Sequence, residues 1–184
     1  MKTLDEILEL GSSSEKIRIL EKLAISENSE IIKKMIGSLD DEDIQVRGEA
    51  FSSLILNKND ISQLLIESLK DNRKNVRGFS SLILANRNDI EAIPSIIELV
   101  KDESSMVRSC ALGALGHLKA KEAKIVIKEK MFDSNLEVRK SALQALINIE
   151  EKVSEKDLLE ISKETDSEIE NLVLKLKKGG PEGI

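Results

Sequence analysis

"FDSNLEVRKSALQAL", residues 132–146, pairs an acid, Asp133, with an arginine, Arg139, six positions later and directly after a valine. Behind that pair Val138, Ala142, Ala145 and Leu146 recur at the spacing of one buried helix face. Only seven of the 28 basic residues are arginine, so an arginine here asks for something lysine lacks. Its guanidinium is a planar, permanently charged fork that can bond a carboxylate and a carbonyl together.

The same arrangement recurs in "DDEDIQVRGEA" (40–50), "KDNRKNVRGFS" (70–80) and "KDESSMVRSCA" (101–111). The valines Val46, Val76, Val107 and Val138 are 30, 31 and 31 residues apart. Continuing outward, the period reaches Ile17-Arg18 in "SSSEKIRIL" and Ile169-Glu170 in "KETDSEIENLV", which gives six copies. Arg47, Arg77, Arg108 and Arg139 each follow an acid by six residues: Asp41, Asp71, Asp102 and Asp133. Ser12 stands at the acid's place in the first copy and Glu164 in the last.

Each signature opens a helix whose small or apolar residues return four, seven and eight positions after the valine, as Ala111, Ala114 and Leu115 do after Val107. A second amphipathic stretch precedes each one, for example "EIIKKMIGSL" and "DISQLLIESL". Every copy therefore reads as a helical hairpin too small to bury its own face, stable only when stacked. Asp60 and Asp89, in "NKND" and "NRND", are expected as helix N-caps, and Pro94 in the first turn of a helix. "FSSLIL" occurs at 51–56 and 79–84, a shift two residues short of the valine register, and reads as a trace of duplication.

This pattern, clearest in "VKDESSMVRSCALGALGHL" (100–118), resembles the HEAT-like repeats of phycobilisome lyases and of many small archaeal and bacterial proteins. The likeness covers roughly residues 12–178. It implies an all-α fold, an α-solenoid wound as a right-handed superhelix of about six HEAT-like hairpins. The first helices would lie outside and the second helices would line a concave face. It also implies that the Asp and Arg pairs form a structural ladder tying each hairpin to the next. The expected organisation is one domain over 1–178, with repeats at about 1–26, 27–57, 58–87, 88–118, 119–149 and 150–178, then a flexible tail at 179–184. The end repeats, where Ser12 replaces the acid and Glu170 the arginine, should be caps with polar outer faces.

Composition narrows the function. A net charge of −6, no Trp, no Tyr and three Phe argue against a nucleic-acid binder, which needs a basic stripe and stacking platforms. No apolar run reaches the roughly 18 residues that cross a bilayer, and the acidic start "MKTLDEILELGSSS" is unlike a signal peptide, so a cytoplasmic protein is expected. The Ile, Lys and Asn content hints at an AT-rich prokaryotic or archaeal source. Cys110 is the single cysteine and is expected to be a buried, inert thiol. His117 is the single histidine, which excludes the His-Glu metal sites of HEAT-like iron hydroxylases and reads as a surface or cap residue. HEAT-like DNA glycosylases use Trp and a basic surface, both missing here. No catalytic residue, metal or cofactor is expected.

What remains is a binding surface. Positions two, six and nine after each valine should face away from the core: Gly48, Ser52, Ile55; Gly78, Leu82, Ala85; Ser109, Gly113, Gly116; Lys140, Gln144, Ile147. Gly and Ser there would either let neighbouring helices approach closely or form the floor of a groove, running from Gly48 to Gly116, that accepts an amphipathic helix or extended peptide. "DDED" at 40–43 and the lysines at 119, 121, 124, 128 and 130 would either be solvated faces or charged rims that orient the partner. The expected function is a non-enzymatic scaffold for a partner protein or peptide. The alternative is a subunit of a bilin-lyase-like or other modifying enzyme.

Overall fold

The computed structural model describes residues 3–163 and 166–178. Glu164 and the tail at 179–184 lie outside the described residues. The fold is an all-α helical repeat, with twelve α-helices among the described residues, and it divides into two compact units, Met1–Ala92 and Ile93–Ile184.

The N-terminal unit contains α1 (Leu4–Leu10), α2 (Ser13–Leu23), α3 (Ser29–Gly37), α4 (Ile44–Leu56), α5 (Ser62–Ser68) and α6 (Lys74–Asn86). These form three hairpins, in which α2 packs on α4 and α4 on α6. Val46, Ala50 and Leu54 of α4 and Val76, Ile83 and Leu84 of α6 are fully buried, as the spacing from the valines requires.

The C-terminal unit contains α7 (Ile93–Leu99), α8 (Ser105–His117), α9 (Lys124–Glu129), α10 (Leu136–Asn148), α11 (Glu155–Ile161) and α12 (Ser167–Lys178). α8 packs on α10 and α10 on α12, and Val107, Leu112, Leu115, Val138, Leu143, Leu146 and Ile169 of these helices are fully buried. Pro94 sits in the first turn of α7. α8 and α10 end alike, with Lys119 and Glu150 in the left-handed conformation at φ 53° and 58°. The next amide in each case, of Ala120 or Glu151, reaches back to the carbonyl of Leu115 or Leu146. The last hairpin is less polar outside than expected, because Leu159 and Leu174 are exposed by 63% and 53%.

Two local expectations change. Asp60 accepts a 3.4 Å bond from the Ser62 amide, but the residue at the start of α5 is Ile61. The Asp89 carboxylate accepts instead from the Ser62 hydroxyl of the preceding hairpin. In the first repeat the register shifts by two. Ser12 is the N-cap of α2, closed by a capping box with Glu15, and the rung cation follows its cap by four residues in the four middle hairpins. That places Lys16 at the arginine position, and Arg18 is exposed.

Candidate functional site

Each rung begins in the turn ahead of a second helix. The carboxylates of Asp41, Asp71, Asp102 and Asp133 accept the amide two residues on, at 2.8–3.0 Å, which fixes the turn and presents their own carbonyls to the helix that follows. One turn inside that helix, Nη1 of Arg47, Arg77, Arg108 and Arg139 donates to those carbonyls at 2.6, 2.9, 2.9 and 2.7 Å. Within the C-terminal unit Arg108 also reaches the next hairpin, where Nε and Nη2 grip both Asp133 oxygens at 2.9 and 2.8 Å. Lys16 performs the same step in the N-terminal unit, with Nζ 2.7 Å from Asp41 Oδ2. Both pairs span 25 residues. Asp71 is held differently, by Nε and Nη2 of Arg73 from its own turn at 2.9 and 2.8 Å.

Burial opposes ionisation of Asp133, but the Arg108 fork and the Asn135 amide outweigh it and hold the carboxyl below the ordinary range. A carboxyl with a depressed folded pKa contributes stability fully above its unfolded value of about 3.9 and loses that contribution as pH falls through the folded value. Wild-type stability should therefore drop in strong acid, and Asp133→Asn should be less stable at pH 7 but show a flatter acid limb in denaturant titrations at stepped pH.

A second set of ties, at the far ends of the second helices, was not visible in the sequence. Asn57 and Asn59 donate to the Ser26 carbonyl at 2.8 and 3.0 Å, and Arg87 donates to the carbonyls of Leu54, Asn57 and Asn59. Carbonyls left open at the ends of α2 and α4 are thus satisfied by the following hairpin.

In the N-terminal unit Gly48 and Ser52 are exposed, Leu82 is half-buried and Gly78 is buried. A Cβ built on Gly48 meets nothing within 4 Å. Leu56 and Ile25, at equivalent ends of α4 and α2, are exposed by 69% and 86%. Phe51 and Phe79 meet edge to face, with centroids 6.2 Å apart and planes at 76°. The two-residue slip between the "FSSLIL" copies explains this pair: two residues turn a helical side chain by about 200°, which aims Phe51 of α4 and Phe79 of α6 at each other.

In the C-terminal unit Gly113 and Gln144 are exposed, Ser109 is half-buried and Gly116 is buried. A Cβ on Gly116 would lie 2.9 Å from Ala145 Cα, so close packing of α8 on α10 explains that glycine. Gln144 is bonded to Asn148 at 2.8 Å. Lys140 is drawn into contacts with Glu168, Glu137 and Asp166 at 2.9, 3.3 and 3.4 Å, which tie α10 to α12 and hold the ammonium well above its usual range. The two glycines make an opposed pair. Gly48→Ala should raise stability by about 0.5–1 kcal/mol through helix propensity, whereas Gly116→Ala should lower it by about 1–3 kcal/mol through overpacking, both read from chemical denaturation.

Among the described residues no group of three or more His, Cys, Asp or Glu side chains is placed to hold a metal ion. Burial pushes the Cys110 thiol up to about 11, and its sulfur lies 3.5 Å from Met106 Sδ. His117 is the exposed last residue of α8. No described helix is long and apolar enough to cross a membrane.

Stacked hairpins, recurring rungs and an exposed second-helix face define an α-helical repeat protein. Residues 61–147 match the family model of HEAT repeats. The phycocyanin lyase complex of CpcE and CpcF from Nostoc sp. PCC7120 matches with a TM-score of 0.69 and 17% identity, over 82% of this chain and 99% of that one. A designed armadillo repeat protein in complex with the peptide (KR)4 matches with a TM-score of 0.60 and 18% identity, over 95% and 96%. An engineered protein matches with a TM-score of 0.61 and 20% identity over the whole of both chains. No curated protein sequence matches the chain.

Proposed function

We propose that the protein is a non-enzymatic scaffold that holds a segment of a partner protein against the second-helix face of its N-terminal unit. The observation that carries this reading is the character of that face. Apart from the rung arginines, α4 and α6 carry only Glu49 and Lys74 as charged residues, and Glu49 accepts a 2.7 Å bond from Ser53. Around Gly48 the surface is open, flanked by Ser52, Leu56 and the half-buried Phe51–Phe79 pair. An exposed apolar patch of this kind is costly in water and serves an apolar partner segment.

The designed armadillo protein with its peptide gives a parallel for such use of a helical repeat. A role as a modifying-enzyme subunit draws on likeness to the lyase pair, which at 17% identity speaks for the fold. The test is retention of proteins from an extract of the source cell by wild type, Gly48→Ala and Gly48→Glu, all of equal helicity. The first two should hold the same protein and Gly48→Glu should lose it. Undiminished retention by Gly48→Glu would remove the partner from this face.

A further inference from the structure

The C-terminal unit holds a cleft, unrelated to the face around Gly48, with a volume of about 630 Å³. It lies between the end of α10, the turn that follows, α11 and the last turns of α12. Its floor is aliphatic: Leu146, Ile147, Val153, Leu158, Leu159 and Leu176. Leu159 is 63% exposed and adds apolar surface that a ligand could cover.

Three glutamates and three lysines line the cleft. Glu151 is engaged by Lys128 at 2.7 Å, which together with the neighbouring lysines holds its carboxyl below the usual range, and Glu150 faces Lys121 at 3.7 Å. The lysines are Lys152, Lys175 and Lys177, all three exposed. The acid of the rim that faces no lysine is Glu155, in the first turn of α11, where the helix N-terminus already favours a negative charge. Three lysines over a leucine floor form a site of positive charge above apolar surface, and its volume falls within the roughly 300–1,000 Å³ of small-molecule sites.

We propose that this cleft binds an amphiphilic carboxylate, with an aliphatic chain along the leucines and an anionic head among Lys152, Lys175 and Lys177. Lysines near the end of α12 also suit the helix dipole, so the proposal turns on whether they and the leucines act together on one ligand. The experiment titrates methyl-labelled full-length protein with laurate below its micelle concentration, beside acetate and dodecyltrimethylammonium. Laurate should give saturable shifts at the methyls of Leu158, Leu159 and Leu176, and the other two probes should not. Lys175→Glu with Lys177→Glu should weaken laurate about tenfold while circular dichroism stays unchanged. The exposed Leu159→Gln, which leaves the charges alone, should weaken it as well. The absence of saturable laurate shifts would overturn the proposal. So would an equal response to the cationic amphiphile, or undiminished binding by the lysine variants.

Discussion

Arg108→Ala should destabilise the C-terminal unit by about 3 kcal/mol, near the lower end expected when one partner of a buried ion pair is removed. Asp133 is the reason. Its side chain is 5% exposed, and it would keep only Lys130 at 3.4 Å and the Asn135 amide after losing a two-pronged guanidinium. The loss also removes the bonds that Nη1 donates to the carbonyls of Asp102 and Glu103 at 2.9 and 3.1 Å. Arg108→Lys should recover part of the charge but not the fork, and so should fall between alanine and wild type. In the double variant Arg108→Ala, Asp133→Ala the two effects should add to less than their sum, because no acid is then left buried without its cation. Urea denaturation of wild type, Arg108→Ala, Arg108→Lys, Asp133→Ala and the double variant reads all of this, and an Arg108→Lys variant as stable as wild type would contradict a fork-dependent rung.

Leu115→Ala should cost about 2–5 kcal/mol. Leu115 is fully buried on α8, the helix that packs on both α7 and α10, so little can collapse into the space left behind. The cost should appear as a lower denaturation midpoint with helicity unchanged before the transition. Loss of less than about 1 kcal/mol would mean that the α8 core is loosely packed.

Much of the fold was legible because one short signal recurs with little variation. The valines announce the fully buried start of each second helix, and the acid six residues before each arginine marks the turn. The first repeat misled because Ile17-Arg18 looks like the signature while the helix start is set by the Ser12–Glu15 capping box, which puts Lys16 in the rung. The 25-residue step from rung cation to the next hairpin's acid would have chosen Lys16, but that step is a property of neighbouring hairpins and not of any one motif. Arg87, Asn57 and Asn59 were missed for a similar reason: each meets a carbonyl about thirty residues away, and a carbonyl leaves no trace in sequence.

The proposed binding face was legible only as a helical projection. A projection treats Gly48 and Gly116 alike, although one faces open space and the other touches Ala145 across a helix seam. The angle between two packed helices decides which glycine is surface and which is contact, and it depends on side chains from both. The C-terminal cleft was illegible because its floor is drawn from three separate helices and the turn after α10.

The central claim is that a partner segment lies on the second-helix face of the N-terminal unit, and site-specific photocrosslinking tests it most directly. A benzophenone side chain would be placed at Ser52 on α4 and, separately, at the exposed Gln63 on α5, a first helix. The account predicts a discrete protein adduct from Ser52 that disappears when Gly48→Glu is added, with none from Gln63. An adduct from Gln63 and none from Ser52, or a Ser52 adduct indifferent to Gly48→Glu, would contradict it.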